Sequence, residues 1–318
     1  MARENMAFLT GSVAKAPQVA KVGDNYIYAM AYVNVSRGLR EVGDFRKYMK
    51  CDNPVIFTRD EKWIREIETW QEHDIVHIKG VIACRRIKKS SFCSYCHTKN
   101  QSPGALVYVN PIFCEKIKHL EDDEECLQYL SDHREISNQV FAFGTLCRDP
   151  KKMKVKDGLI VTQYQVALNR KFRIKTDPSD LKTDFPWVKS YGDNAVEDKK
   201  RLHVGSEIFI DGCLQARSVN RHAICGQMYD DAGKPMFYEN GMPVLREDED
   251  GNIIGCGEKY DWKDRALEMV PYEVEYIANI YSDEEVEEME KERRNQILRD
   301  KGLLDEFEDE DEDLSEED

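Results

Sequence analysis

The sequence predicts a mainly β protein. It should hold two tandem five-stranded Greek-key barrels, each with a short helix, then a C-terminal helix and a disordered acidic tail. Three observations carry this. Residues 139–220 run as short alternating apolar segments interrupted once by a helical one, residues 6–118 repeat the same plan, and negative charge gathers beyond residue 282.

The second copy is the clearer. Val140, Phe141 and Phe143 precede Gly144, and Arg148-Asp149-Pro150 makes a turn. Residues 159–168 set Ile160, Thr162, Tyr164 and Val166 against Val161, Gln163, Gln165 and Ala167, the two-residue period of a half-buried strand. In 194–202, Ala195, Val196 and Leu202 fall at helical offsets. Gly205 ends that segment, and Ile208, Ile210 and Cys213 open another strand. Strand, strand, strand, helix, strand, strand is the order of an OB-type barrel.

This stretch also resembles the single-stranded DNA-binding protein family of bacteria and their phages. The residues that carry the resemblance are GTLCRDPKKMKVKDG, the strand ending ALNRKF, and SYGDNAVEDKKRLHVGSEIFIDGCLQAR. The resemblance implies an OB fold, sequence-independent binding of single strands in replication, recombination or repair, and assemblies of four barrels. With two barrels per chain, that means a homodimer.

In the first copy, MAFLTGSVAKAP parallels VFAFGTLCRDP, and YIYAMAYVNVSRG parallels IVTQYQVALNRK. Gly80 and Gly212, Arg85 and Arg217, and Cys93 and Cys225 share one offset of 132. The expected organisation is a first barrel over 1–118 with a Cys-x-x-Cys loop, a linker over 119–137, and a second barrel over 138–281 with an inserted hairpin. A helix over 282–302 and the tail over 303–318 follow. A short linker helix should turn Cys126, Leu127 and Leu130 inward.

Single-strand binding by such a barrel needs rings for base stacking and cations along the backbone path. The resemblance places stacking rings at Phe172, Phe185 and Tyr191, and Trp187 shares the parity of the last two. Arg170, Lys171, Arg173, Lys175, Lys189, Arg217 and Arg221 supply charge nearby. Phe141, Phe143, Tyr164 and Phe209 are expected to pack inward, as strand aromatics usually do. Phe172 sits among cations and should face out, whereas Phe185, Trp187 and Tyr191 suit either core or surface. The corresponding first-barrel points are Leu39, Cys51 and Phe57, with Phe45 and Tyr48 as substitutes from the adjoining loop. That barrel is expected to bind more weakly. Trp63 and Trp70, in a helical stretch, should pack against it.

Cys93-x-x-Cys96 is half of a tetrahedral zinc site. Cys225 stands at the position of Cys93, and Cys256 follows the insertion. One structural zinc shared by Cys93, Cys96, Cys225 and Cys256 would clip the two loops together, with His97 and His222 in reserve; free thiols or a degenerate site are the plainer alternative. Cys84 and Cys114 lie too far along the hairpin and read as small buried hydrophobes.

Residues 282–301 read as a helix with a Ser282/Glu285 capping box. Beyond it lies a like-charge block that should be disordered. Residues 283–318 hold 19 acids and 5 bases, so the net charge of −15 is almost all tail and the body can carry basic faces. The resemblance implies that such a tail recruits replication and repair proteins through an apolar tip. Here the chain ends Glu316-Glu317-Asp318, which puts that route in question, and competition with DNA for the basic faces is the alternative.

No apolar run approaches a membrane span and the start has no signal-peptide core, so a soluble cytoplasmic protein is expected, in a bacterium or a phage-infected cell. With no Walker loop, paired carboxylate motif or nucleophile elbow, no enzyme is expected. The competing classes are a non-catalytic interaction scaffold and a zinc-dependent nucleic-acid enzyme.

Overall fold

The computed structural model describes residues 4–37, 51–154, 158–170, 174 and 182–300. In the first copy the strands are β1 (Asn5–Val13), β2 (Gln18–Val22), β3 (Asn25–Ser36), β4 (Cys51–Asp52), β5 (Val55–Thr58), β6 (Asp74–Phe92) and β7 (Lys99–His119), with helix α1 (Glu61–Glu68) between β5 and β6. β1 pairs with β3 and β6, β3 with β5, and β6 with β7. β5 runs parallel to β7, where Ile56 meets Val109, and this closes a five-stranded barrel.

The linker forms α2 (Asp123–Asp132) and α3 (Arg134–Ser137). The second copy contains β8 (Asn138–Leu146), β9 (Lys151–Lys154), β10 (Ile160–Asn169), β11 (Thr183–Asp184), β12 (Trp187–Tyr191), α4 (Asp193–Arg201), β13 (Glu207–Ile224) and β14 (Lys259–Ala278). Its connectivity is the same, down to the parallel pair of β12 and β14 at Val188 and Met269.

The repeat is exact in register. Bulges follow Ile75 and Lys79 in β6, and Glu207 and Asp211 in β13, all at the offset of 132. Gly80 faces Pro111 and Gly212 faces Pro271, where a Cβ would lie 2.6 Å from the Asn110 carbonyl oxygen and 2.4 Å from that of Val270. Only glycine fits such an approach. Asn5 exchanges two hydrogen bonds with the Ile82 backbone, and Asn138 does the same with Leu214.

β1 and β8 join the barrels antiparallel. Ala7 pairs with Val140, and each also faces the glycine of its own barrel, so a local two-fold axis passes between them. The described strands therefore form one continuous sheet, and one apolar cluster runs from Leu9, Val33 and Ile78 through Val140, Val166 and Ile210. Trp70 is buried and Trp63 meets Phe113 edge-on, the expected packing role.

Three expectations are corrected. Phe141, Phe143 and Phe209 are half-exposed on the outer sheet face, because the smaller Val140, Ala142, Ile208 and Ile210 take the inward parity of a narrow barrel. Tyr164 alone of that group is buried, donating to Asp198 Oδ2 at 3.0 Å. In α2, Cys126 and Leu130 are buried while Leu127 is 46% exposed, since the helix docks through its i, i+4 stripe. The insertion after Cys225 is three hairpins rather than one. Helix α5 (Asp283–Asp300) begins with the expected reciprocal bonds between Ser282 and Glu285 and buries no residue. No described helix is long and apolar enough to cross a membrane.

Candidate nucleic-acid interface and cysteine centre

Beyond the barrels, β6–β7 and β13–β14 continue as two long hairpins lying side by side. Period-two sequences carry the pairing to this length, across Pro103-Gly104 and Pro111 in β7 and Pro271 in β14. Paired contacts obeying the local two-fold fix them at the base. Asp52 Oδ1 accepts from the Ala216 N–H at 2.8 Å, and Asp184 Oδ1 accepts from the Cys84 N–H at 2.6 Å, each carboxylate of one barrel holding a strand of the other. Arg37 forks onto Asp52 and Arg170 onto Asp184.

Arg170, only 7% exposed, is therefore a structural ion pair and not a phosphate contact. Sequence reading missed this because it took the charge without its partner, although Asp52 and Asp184 also lie 132 apart.

Between the hairpins lies a cleft of about 820 Å³. Its rings are Tyr32 from the first barrel and Trp187, Tyr229 and Trp262 from the second. Lys88, Lys89, Arg217, Arg221 and Arg265 line it against only Asp264 and Glu268. Lys89 crosses between the hairpins to Asp264 at 2.6 Å, and Arg221 approaches the same carboxylate at 3.3 Å. Burial works against the Asp264 charge, but the bonds from Lys89 and Arg221 outweigh it and hold its pKa below the ordinary value. Arg265 donates across the cleft to the Asn53 carbonyl at 2.8 Å and stands over the Tyr32 ring.

Of the expected residues, Trp187, Arg217 and Arg221 line this cleft. Trp187, Lys189 and Tyr191 share the outward parity of β12, with Val188 and Ser190 inside. Phe185 is 48% exposed just before that strand. Arg217 forks onto Glu268 at 2.6 and 2.8 Å, and that bond raises its pKa. Lys189 is nearly buried 3.5 Å from the same carboxylate, and burial lowers its pKa. Lys189 thus sits beneath the cleft floor, where no backbone phosphate reaches it directly.

The first-barrel correspondence is also corrected. Ile56 and Val188 occupy the same place in their barrels, so Phe57 matches Lys189, and Tyr191 matches Arg59. Phe57 packs between Tyr28 and Tyr108 under Arg85. Phe172, Lys171, Arg173, Lys175, Phe45, Tyr48 and Leu39 lie outside the described residues.

Tyr32, Trp262, Tyr229, Lys88, Lys89 and Arg265 were missed. A signal for the lysines existed: residues 75–114 contain six bases and no acid.

At the hairpin tips, Cys93, Cys96, Cys225 and Cys256 bring four Sγ atoms within 4.8 Å of one another. Cys93 and Cys256 are 3.7 Å apart and Cys96 and Cys225 3.5 Å, both pairs running between barrels. A disulfide would need about 2.05 Å. Four thiolates about 2.3 Å from a zinc ion stand roughly 3.8 Å apart in a tetrahedron, so the donor set fits. The Tyr95 N–H donates to Cys93 Sγ at 3.4 Å and Asn100 Nδ2 to Cys225 Sγ at 3.5 Å, outer bonds that orient thiolates. Gly255, with φ of 108°, leaves room for the Cys225 sulfur, which a Cβ would approach to 2.9 Å. Bonding to Thr98 holds the Cys96 thiol down at about 6. A backbone bond at Glu258 favours the Cys256 thiolate, yet burial and the neighbouring thiols push it up to about 12.

His222 instead pairs with Asp261, and His97 is not among the clustered ligands. Cys84 and Cys114 sit well down the hairpin, their thiols pushed up to about 12 by burial, as small apolar groups.

Two barrels of OB connectivity, with rings and cations on the outward surface between them, define an OB-fold protein of the nucleic-acid-binding kind. Residues 137–227, from β8 to just past β13 of the second barrel, match the model of the single-strand binding protein family. The fold is similar to the crystal structure of wild-type single-stranded DNA binding protein from Thermus aquaticus, with a TM-score of 0.50 and 14% identity over 89% of this chain and 97% of that one. A deletion mutant of that protein is similar at a TM-score of 0.47 and 15% identity, over 89% and 100% of the two chains. No curated protein sequence matches the chain.

Proposed function

We infer that the protein is a single-stranded DNA-binding protein that coats strands without sequence preference in replication, recombination or repair. The strand runs along the inter-hairpin cleft and the outward face of β12. The observation that carries this reading is the cleft itself, four rings and five cations against two carboxylates, on a barrel matching the single-strand binding protein family. Rings give affinity that any base can satisfy, and the cations follow the backbone. Cytoplasm or nucleoid is where such a protein works. The organisation into barrels over 1–118 and 138–281, a linker, a helix over 282–302 and a tail from 303 is the functional division.

One structural zinc ion, held by Cys93, Cys96, Cys225 and Cys256, clips the hairpin tips together and so fixes the width of the cleft. The chain works as a homodimer, and its acidic tail engages replication or repair proteins or competes with DNA.

The test is tryptophan fluorescence on adding oligo-dT at two salt concentrations, with duplex DNA in parallel. The expected result is quenching by the single strand, weakened by salt and much weaker with duplex. Unquenched fluorescence with oligo-dT, and no shift in a gel, would favour the alternative, a non-catalytic scaffold. That reading draws on Arg217 and Lys189 both being already paired with Glu268.

A further inference from the structure

The insertion between Cys225 and Cys256 is a ladder of three hairpins with one turn geometry. The Asp230, Tyr238 and Asp248 N–H groups donate to the carbonyls of Lys234, Met242 and Asn252 at 2.8–2.9 Å. Gly233, Gly241 and Gly251 each hold φ near 80° at the same place in the turn, the left-handed residue of a three-residue hairpin. Bonds from Met236 to Met228, from Val244 to Met236 and from Ile254 to Arg246 extend each hairpin by a rung, and bonds from Met228 to Val244 and from Arg246 to Gly226 tie the hairpins together.

Backbone bonding thus supplies the order, and from residue 228 to 258 no side chain is buried. The apolar side chains go outward instead. Met236, Tyr238 and Met242 share one face of the central hairpin, with Met242 62% exposed, and Phe237 is exposed on the other. A contiguous exposed apolar patch on a rigid support marks an interaction surface. Methionine suits one that must adapt to its partner's shape.

Charge selects the partner. Residues 227–258 carry eight acids and two bases, and Asp230, Asp231 and Glu239 border the patch. This rim repels a nucleic-acid backbone and equally repels the same face of a second copy. We propose that the three-hairpin insertion is a docking site for a basic, amphipathic segment of another protein, whose apolar side chains cover Tyr238 and Met242 while its lysines and arginines meet the carboxylate rim.

The probe is a dye-labelled amphipathic helix peptide of leucine and lysine, measured by anisotropy against the full chain, beside a peptide of the same composition with its sequence scrambled. Binding should weaken about tenfold or more for the scrambled peptide and for the Tyr238→Ser/Met242→Ser variant, the size expected when central apolar anchors are lost. Oligo-dT affinity of that variant should stay unchanged, which reports an intact fold. A chain ended at Gly302 should keep the peptide affinity. Equal binding by variant and parent, equal binding of both peptides, or loss of binding with the tail would each overturn the proposal.

Discussion

Trp187 and Arg170 show how neighbouring side chains on one barrel face take opposite roles. Trp187 stands open in the cleft with Arg148 over its ring, whereas Arg170 is sealed against Asp184. Trp187→Ala, and equally Trp262→Ala, should cost about 1–3 kcal/mol per stacked base and leave the melting temperature nearly unchanged. Titration with oligo-dT beside thermal melts separates the two effects. Arg170→Ala strands a buried carboxylate and should destabilise the fold by about 3–5 kcal/mol. Asp264 adds a pH dependence. Its folded pKa lies below the ordinary value of 3.8, so its contribution is present above that value and is lost as pH falls through the lowered one. Urea midpoints should therefore drop on acidification less steeply in Asp264→Asn than in the parent chain, and identical slopes would remove Asp264 from the account.

At the scale of elements, the two hairpins matter more than the barrels that bear them. Lys89 to Asp264, Ser91 to Tyr260 at 2.7 Å and the four thiols link them towards the tip. One zinc per chain should be found by atomic absorption, lost in Cys93→Ser/Cys225→Ser. Chelation should lower both the melting temperature and the oligo-dT affinity, because freed tips let the cleft widen. If the chain as purified holds no zinc and none binds on addition, the clasp is not a metal site. The four cysteines were legible in the sequence through the Cys-x-x-Cys spacing, the repeat offset and the knuckle-like run at Cys256, as were the barrels, the capping box and the shared parity of Trp187 and Tyr191, though not which way that parity faces. The cleft was not. Its rings come from β3, β12 and β14 and from the insertion, segments whose meeting depends on how the barrels pair through β1 and β8. The inward or outward choice for Phe141, Phe143 and Phe209 also escaped, because alternation reports two faces without saying which is inside. Here side-chain volume decided: the interior took valine, alanine and isoleucine, and the rings were left outside.

For the whole molecule, charge and outer surface set how copies and strands assemble. A chain of net charge −15 can meet a polyanion because residues 283–318 hold 19 acids against 5 bases, which leaves the body near neutral. The cleft's five bases and two acids leave a net charge of +3, and at about 0.7 per phosphate neutralised on a single strand they account for a log–log salt slope of about −2. Lys88→Ala or Arg265→Ala should each make that slope shallower by roughly 0.7. The proposed homodimer would use the outer sheet face. Phe8 meets Phe141 edge-on at 6.1 Å, Phe143 and Phe209 lie opposite one another on β8 and β13, and all four rings are half-exposed. Lys79 stands over Phe8 at 5.2 Å, and its counterpart at the repeat offset is Asp211, which pairs with Glu273 on the neighbouring strand. One end of the face is therefore basic and the other acidic. A second copy turned about a two-fold axis would set Lys79 of each against Asp211 of the other, with the rings between them, the isologous arrangement of most dimers. Partial burial, with Glu273 and Glu275 nearby, already raises the Asp211 pKa, a cost that an incoming lysine would relieve. Light scattering should give twice the mass of the chain, and Phe141→Asp should give the single mass. That variant leaves the cleft untouched and should keep its quenching by oligo-dT per chain, with weaker binding to longer strands that span both copies. A monomeric parent chain, or a Phe141→Asp variant that stays dimeric, would place the dimer contact elsewhere or remove it.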